Sequence, residues 1–297
     1  MDFKLLFKTF RKSYSLLGRN NPLILASSTA FFATFSLPPI IIILVSLLGL
    51  CFKSEHVSKE LFISIKDLLG NNATIQIQAI YNNFVILEGK GWIAAGIFLF
   101  FVFSATTLLV IIHDSIHILW RIAHKSTNRM RTRLWERMKA VLLIVSIGVL
   151  FLISLLFDMS LALLKEHLPT MFHSNGIFIL RIFHVIFSFF VVTTWFSLVF
   201  KVLPNAFVPW KIAFAGGFVT GLFFSIGKLI LGKFLVNGQI ATVFGASGSF
   251  ALILLFIFYS SLFFYFGACF TYTWGKIIGN PIRPGKYSNL YETTIIS

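Results

Sequence analysis

Three groups of residues in this chain could do chemistry, and each lies inside or beside a long apolar run. His113, Asp114 and His117 form the densest ionisable group. On a helix His113 and His117 share a face, and Asp114 stands three residues before His117. Two imidazoles and a carboxylate can hold a divalent metal. The order is not that of an H-E-x-x-H site, because Asp114 rather than a glutamate follows the first histidine and no third ligand comes after. Pairing of Asp114 with an arginine, capping of a neighbouring helix, and a proton or substrate relay are the other readings. No metal is assigned.

Asp158 is a carboxylate at depth, which is costly in hydrocarbon unless it is paired or faces water. Arg181 and His184 stand one helical turn apart near the outer end of the next run. An Asp158–Arg181 contact across antiparallel neighbours would be either a structural pair or the wall of an outward-opening cavity. Lys228 could join it or snorkel outward. Ser36, Leu37, Pro38 and Pro39 fall inside the first apolar run. The two prolines withhold two backbone donors, which predicts a kinked or interrupted helix facing protein or a polar cavity. Such a break is either a packing device or part of a substrate path. Ser36, Pro38, Pro39, Asp158, Arg181, His184 and Lys228 are therefore the candidate polar cavity or transport path. Residues 238–248 are Gly-rich but lack the order of a phosphate loop, and 245–249 is no nucleophile elbow. No catalytic residue and no cofactor are assigned.

The elements that must position these groups follow from composition. Of 297 residues, 57% are apolar and 12% charged, whereas soluble domains carry about 25% charged residues. Mean hydropathy is +0.89. An ordinary soluble enzyme and a disordered chain are both excluded. The two cysteines, Cys51 and Cys269, are far apart and belong to no metal or redox motif. No cleavable signal pattern is seen, and the first apolar run is read as a span that stays.

Six apolar segments lie at about 23–50, 92–112, 140–164, 177–200, 207–231 and 246–274. Each reaches the roughly 20 residues that cross a bilayer as a helix. Counting connections alternately puts 17 basic and 4 acidic residues on one side and 8 basic and 5 acidic on the other. The fold class expected is all-α, a polytopic bundle of six transmembrane spans with both termini cytoplasmic. Residues 1–22 are a basic cytoplasmic lead, 23–274 the membrane domain, and 275–297 a cytoplasmic tail. The long outer connection, about 51–91, carries apolar residues at helical spacing. It predicts two short amphipathic helices that lie on the membrane or cap the bundle.

The densest basic run contains Arg121, Lys125, Arg129, Arg131, Arg133 and Arg137, with Trp120 and Trp135 beside it. Contact with membrane lipids, anionic phospholipid at the cytoplasmic face above all, is one reading. Docking of a protein partner or an acidic ligand is the other. No nucleic acid is expected, since no nucleic-acid fold or aromatic platform accompanies the loop. Ala213, Gly217 and Gly221 recur at steps of four and predict a seam for close helix packing.

Further residues carry a resemblance. They are Ala30-Phe31-Phe32, Ser36-Leu37-Pro38-Pro39, Asp114 with His117 and Trp120, and Leu203-Pro204. Trp210, Gly216-Gly217, Tyr259-Ser260-Ser261 and Gly267-Ala268 complete the set. In order and spacing, over most of the chain, the sequence resembles the YihY/BrkB family of bacterial inner-membrane proteins. It departs at Cys269, where relatives usually carry an acidic residue. The resemblance implies six spans and the cell inner membrane. Members were once labelled ribonuclease BN, but the cytoplasmic acids here are scattered and build no nuclease site. Other members are named for serum resistance and virulence, or linked to export of envelope lipid components. Transport or flipping of an amphiphilic envelope component is the leading expectation. An envelope structural or assembly protein is the second, and a membrane-associated enzyme the third.

Overall fold

The structure is a computed structural model. It describes residues 3–49, 91–124, 175–236, 248–285 and 288–290, with scattered residues between 59 and 82 and between 138 and 157. The labelled helices are α1 (Phe3–Gly18), α2 (Pro22–Gly49), α3 (Gly91–Trp120), α4 (Asn175–Val202), α5 (Trp210–Val236) and α6 (Gly248–Ile277). Apart from α1, these helices are apolar on every face, as expected of helices surrounded by lipid and by one another. Among the described residues, Ile182–Val202, Trp210–Ile230 and Ile253–Ile277 are long and apolar enough to cross a membrane. Pro22–Leu37 and Thr106–Trp120 are shorter apolar helices. Much of the expected 140–164 segment lies outside the described residues; its described members, such as Leu143 and Ser146, are helical.

Small residues set the packing of the central layer. A Cβ on Gly216 would overlap the Thr271 side chain, and a Cβ on Gly267 would overlap that of Thr220. Partner numbers fall on one helix as they rise on the other, so α5 and α6 run antiparallel. On the other flank of α5, Gly217 meets Ser197 and Gly221 meets Thr193 of antiparallel α4. Three of the four hydroxyls at these contacts donate to their own helix, Thr220 to Gly216 O at 2.8 Å, Thr271 to Gly267 O at 2.7 Å and Ser197 to Thr193 O at 2.7 Å. Close approach therefore strands none of these three hydroxyls.

Two apolar clusters fill the interior. One gathers Trp120, Phe200, Ile212, Phe264 and Tyr265, with Leu17 from α1 and Ile282 from beyond α6. It lies where α3, α4 and α6 finish and α2 and α5 begin. Lys201, Lys211, Lys276 and Arg283 stand there too, and it is called the basic end below. The other cluster, toward the opposite end, holds Ile253 and Phe256 of α6 with Phe62 and Ile77. Phe62 and Ile77 come from the long connection between α2 and α3. The described pieces of that connection are helical. Phe62 and Ile77 share a cluster with Ile253 and Phe256, against which Leu37, Ile40 and Phe224 also rest, while Ile63 and Ile75 beside them are exposed.

Small strands at the basic end were absent from the all-helical expectation. Strand β1 (Ile122–His124) pairs antiparallel with β4 (Ser288–Leu290), Ala123 facing Asn289. Strand β2 (Ala206–Phe207) pairs with β3 (Arg283–Pro284). Pro204, Pro209 and Pro281 cannot extend a helix freely, and the extended segments between them satisfy their backbone groups on one another.

Candidate functional site

The site grows from the last two turns of α3. His113 and His117 share one face, as their spacing requires, and their ring centroids are 4.0 Å apart. Both are buried, whereas the Asp114 side chain is 61% exposed on the adjoining face. His113 Nδ1 lies 3.1 Å from Asp114 Oδ1. A carboxylate only accepts, so the ring nitrogen donates. The described partner of Asp114 is thus its neighbouring histidine. Among the described residues no three His, Cys, Asp or Glu side chains gather as metal ligands.

His117 turns toward the connection between α4 and α5. Its Nε2 accepts the backbone N–H of Asn205 at 3.1 Å. The ring proton of neutral His117 is therefore on Nδ1. Asn205 is a junction. Its side-chain oxygen accepts from Lys139 Nζ at 2.5 Å, and its backbone oxygen accepts from Gly285 N at 2.9 Å. Nearby, Lys201 Nζ donates to Val208 O at 2.5 Å and lies 5.4 Å from the Trp210 ring centroid. The described partners of Lys139 and Lys201 are thus neutral oxygens and an aromatic face.

The same end contains two long-range polar ties in apolar surroundings. The fully buried Trp120 indole donates to Ala268 O at 2.9 Å. Tyr265 OH lies 2.5 Å from Thr29 Oγ1, and Tyr265 also hydrogen-bonds Ser115. Thr29 directs its own hydrogen to Leu25 O at 2.9 Å, so Tyr265 donates to Thr29 and Ser115 donates to Tyr265. One hydroxyl chain thereby joins α3, α6 and α2.

Further polar atoms are buried along α4 and α6. Thr193 Oγ1, Thr194 Oγ1, Trp195 Nε1 and Ser260 Oγ are buried without a hydrogen-bond partner among the described residues. Ser260 is one turn from Phe256 of one cluster and one turn from Phe264 of the other. The Phe224 ring contacts both Phe196 and Phe256 at 5.7 and 5.9 Å, and Phe196 contacts Phe264 at 6.0 Å. Thr193, Thr194 and Trp195 follow one another and splay around α4.

The expected residues are scattered. Ser36 is buried and donates to Phe32 O at 2.7 Å. Helix α2 continues through Pro38 and Pro39, which kink or bend it at most and do not interrupt it; their side chains lie outside the described residues. Arg181 belongs to α4, but its side chain is outside the description, as is all of Asp158, so their pairing is too. His184 is exposed on α4, and Lys228 is half-buried on α5. Arg121 adopts a positive φ of 57° as the chain turns from α3 into β1. Lys125, Arg129, Arg131, Arg133 and Arg137 lie outside the described residues. Of the seam residues, Gly217 and Gly221 face α4, while Ala213 is buried in the cluster at the basic end. Sequence reasoning missed Asn205, Tyr265, Thr29 and the polar atoms of α4. The signal for Asn205 was its place after Leu203-Pro204, where a helix must stop.

Apolar helices of spanning length, joined through small-residue seams, define an α-helical membrane protein. The family model described as Virulence factor BrkB matches residues 14–285. The chain belongs to this family of membrane proteins. Comparison with curated proteins and with solved structures gives no match. Asp114, His117, Trp120, Leu203-Pro204 and Ala268, which carried the resemblance, meet at the basic end, and Gly216 and Gly267 meet in the α5–α6 seam.

Proposed function

We propose that the chain crosses the inner membrane six times, with both termini and the basic end in the cytoplasm, and moves or flips an amphiphilic envelope component. The carrying observation is the set of buried polar atoms on Thr193, Thr194, Trp195 and Ser260 that have no partner among the described residues. Polar atoms without partners are costly in a lipid-embedded bundle. A series of them along α4 and α6 suits transient contact with water or a polar headgroup. The packing of Phe62 and Ile77 with Ile253 and Phe256 would give that path an apolar closure toward the outside. Asp158, Arg181 and Lys228 remain candidates for its wall.

The test is exchange of a fluorescent phospholipid between leaflets of vesicles containing the purified chain. Wild type is expected to speed exchange above protein-free vesicles, and Ser260→Ala with Thr194→Val to slow it while leaving the melting temperature level or higher. Absence of acceleration by wild type with any of the anionic or zwitterionic lipids tried would sink the reading. Native mass spectrometry of wild type beside Asp158→Asn, with lipid analysis, would name the amphiphile retained.

An envelope assembly role is the second reading, favoured by the paired strands that stiffen the basic end. It expects a stoichiometric protein partner to co-purify, and changes between Arg121 and Arg137 to release it.

A further inference from the structure

Helix α1 differs from every other labelled helix in being amphipathic. Its residues divide into three sectors at 100° per residue. Thr9, Ser13 and Leu17 are buried on the first. Phe10, bordering it, lays its ring 5.8 Å from that of Phe266, 5.2 Å from Phe270 and 6.5 Å from Phe223. The hydroxyls of this sector are consumed locally, Thr9 donating to Leu5 O at 2.8 Å and Ser13 to Thr9 O at 2.7 Å, so the contact with α6 is apolar. The second sector carries Lys4, Lys8, Arg11 and Lys12, all exposed. The third lies between them and carries Phe7 and Tyr14, two turns apart and 67% and 74% exposed. No acidic residue occurs in α1.

These sectors fit three different surroundings. Phe266 and Phe270 belong to the spanning stretch Ile253–Ile277, so Phe10 rests against hydrocarbon-level protein near the basic end. Phe7 and Tyr14 then point along the membrane, and the four cations point away from the bundle. An exposed aromatic pair beside a row of cations suits the boundary between acyl chains and phosphates. We propose that α1 is an interfacial helix that binds the anionic phospholipid headgroups of the leaflet at the basic end, with Lys4, Lys8, Arg11 and Lys12 on the phosphates and Phe7 and Tyr14 among the upper acyl carbons. The occupant is lipid rather than an acidic protein because the aromatic pair needs an apolar medium beside the charge. The inference stands apart from the transport reading and holds whether or not the chain moves an amphiphile.

The experiment uses the full chain with Cys51 and Cys269 replaced by serine and Tyr14→Cys carrying a polarity-sensitive fluorophore. It is reconstituted in vesicles of phosphatidylcholine, and of equal parts phosphatidylcholine and phosphatidylglycerol. The fluorophore is expected to be quenched by nitroxide-bearing lipid and shielded from aqueous iodide. In parallel, the detergent-extracted chain is titrated with phosphatidylglycerol under native mass spectrometry. Changing Lys4, Lys8, Arg11 and Lys12 to glutamine one at a time should weaken binding roughly fivefold per cation, the equivalent of about 1 kcal/mol for each charge near an anionic surface. Changing Lys4, Lys8 and Lys12 to arginine should retain it, which separates lost charge from lost folding. Quenching by iodide alone, or phosphatidylglycerol binding unchanged in every glutamine variant, would overturn the proposal. So would an acidic protein recovered on the basic row with position 14 open to water.

Discussion

His117 Nε2 accepts the Asn205 backbone N–H at 3.1 Å, across 88 positions of sequence. The bond ties the end of α3 to the turn between α4 and α5, and Asn205 passes the tie to Lys139 and Gly285. His117→Ala leaves a part-buried N–H without this acceptor. The expected loss is about 1–3 kcal/mol, the usual cost of a buried donor left unmet. Thermal unfolding in detergent measures it, and amide exchange at Asn205 should quicken. Exchange at Asn205 that ignores the mutation would count against this role.

Gly216 and Gly267 should not tolerate side chains singly. Each would drive a Cβ into a threonine on the facing helix, Thr271 or Thr220. Gly216→Ala is expected to destabilise by about 1–3 kcal/mol through overpacking. Adding Thr271→Ala should return part of that loss, because the atoms in collision are then gone. A double mutant no better than the single would show that the helices do not meet here.

Tyr265→Phe removes the middle hydroxyl of the Ser115–Tyr265–Thr29 chain. Thr29 keeps its bond to Leu25 O, so the expected cost is only about 1 kcal/mol. Tyr265→Ala should cost about 3–5 kcal/mol, as it also empties a fully buried site. Melting curves of the two variants should differ accordingly. Equal losses would mean that the hydroxyl chain, not the ring, dominates.

Cys269 is fully buried beside Trp120 and Tyr265 in the cluster at the basic end. It should resist a membrane-permeant maleimide in the folded chain and react after denaturation. Cys269→Glu should destabilise this chain, because the surrounding described side chains are apolar. Rapid labelling of Cys269 in the folded chain, read by mass spectrometry, would contradict the packing described.

Class and family were legible in the sequence. Runs of twenty or more apolar residues mark membrane helices without knowledge of their neighbours, because the cost of stranding polar groups in lipid acts on each segment separately. The glycine steps on α5 and the shared face of His113 and His117 are likewise local, set by 3.6 residues per turn. What a helix turns toward was another matter. Helices α2 to α6 are apolar all round, so nothing in their patterning marks an inward face. That Tyr265 meets Thr29 across 236 positions, and Trp120 meets Ala268 across 148, was decided by packing alone. The packing of Phe62 and Ile77 with Ile253 and Phe256 was decided the same way, since an amphipathic segment buries its apolar face equally well on lipid or on protein. Helix α1 shows the division in a single element. Its sequence determined an apolar sector and a basic one, and only contact with Phe266 and Phe270 of α6 decided which apolar residues were left for the membrane.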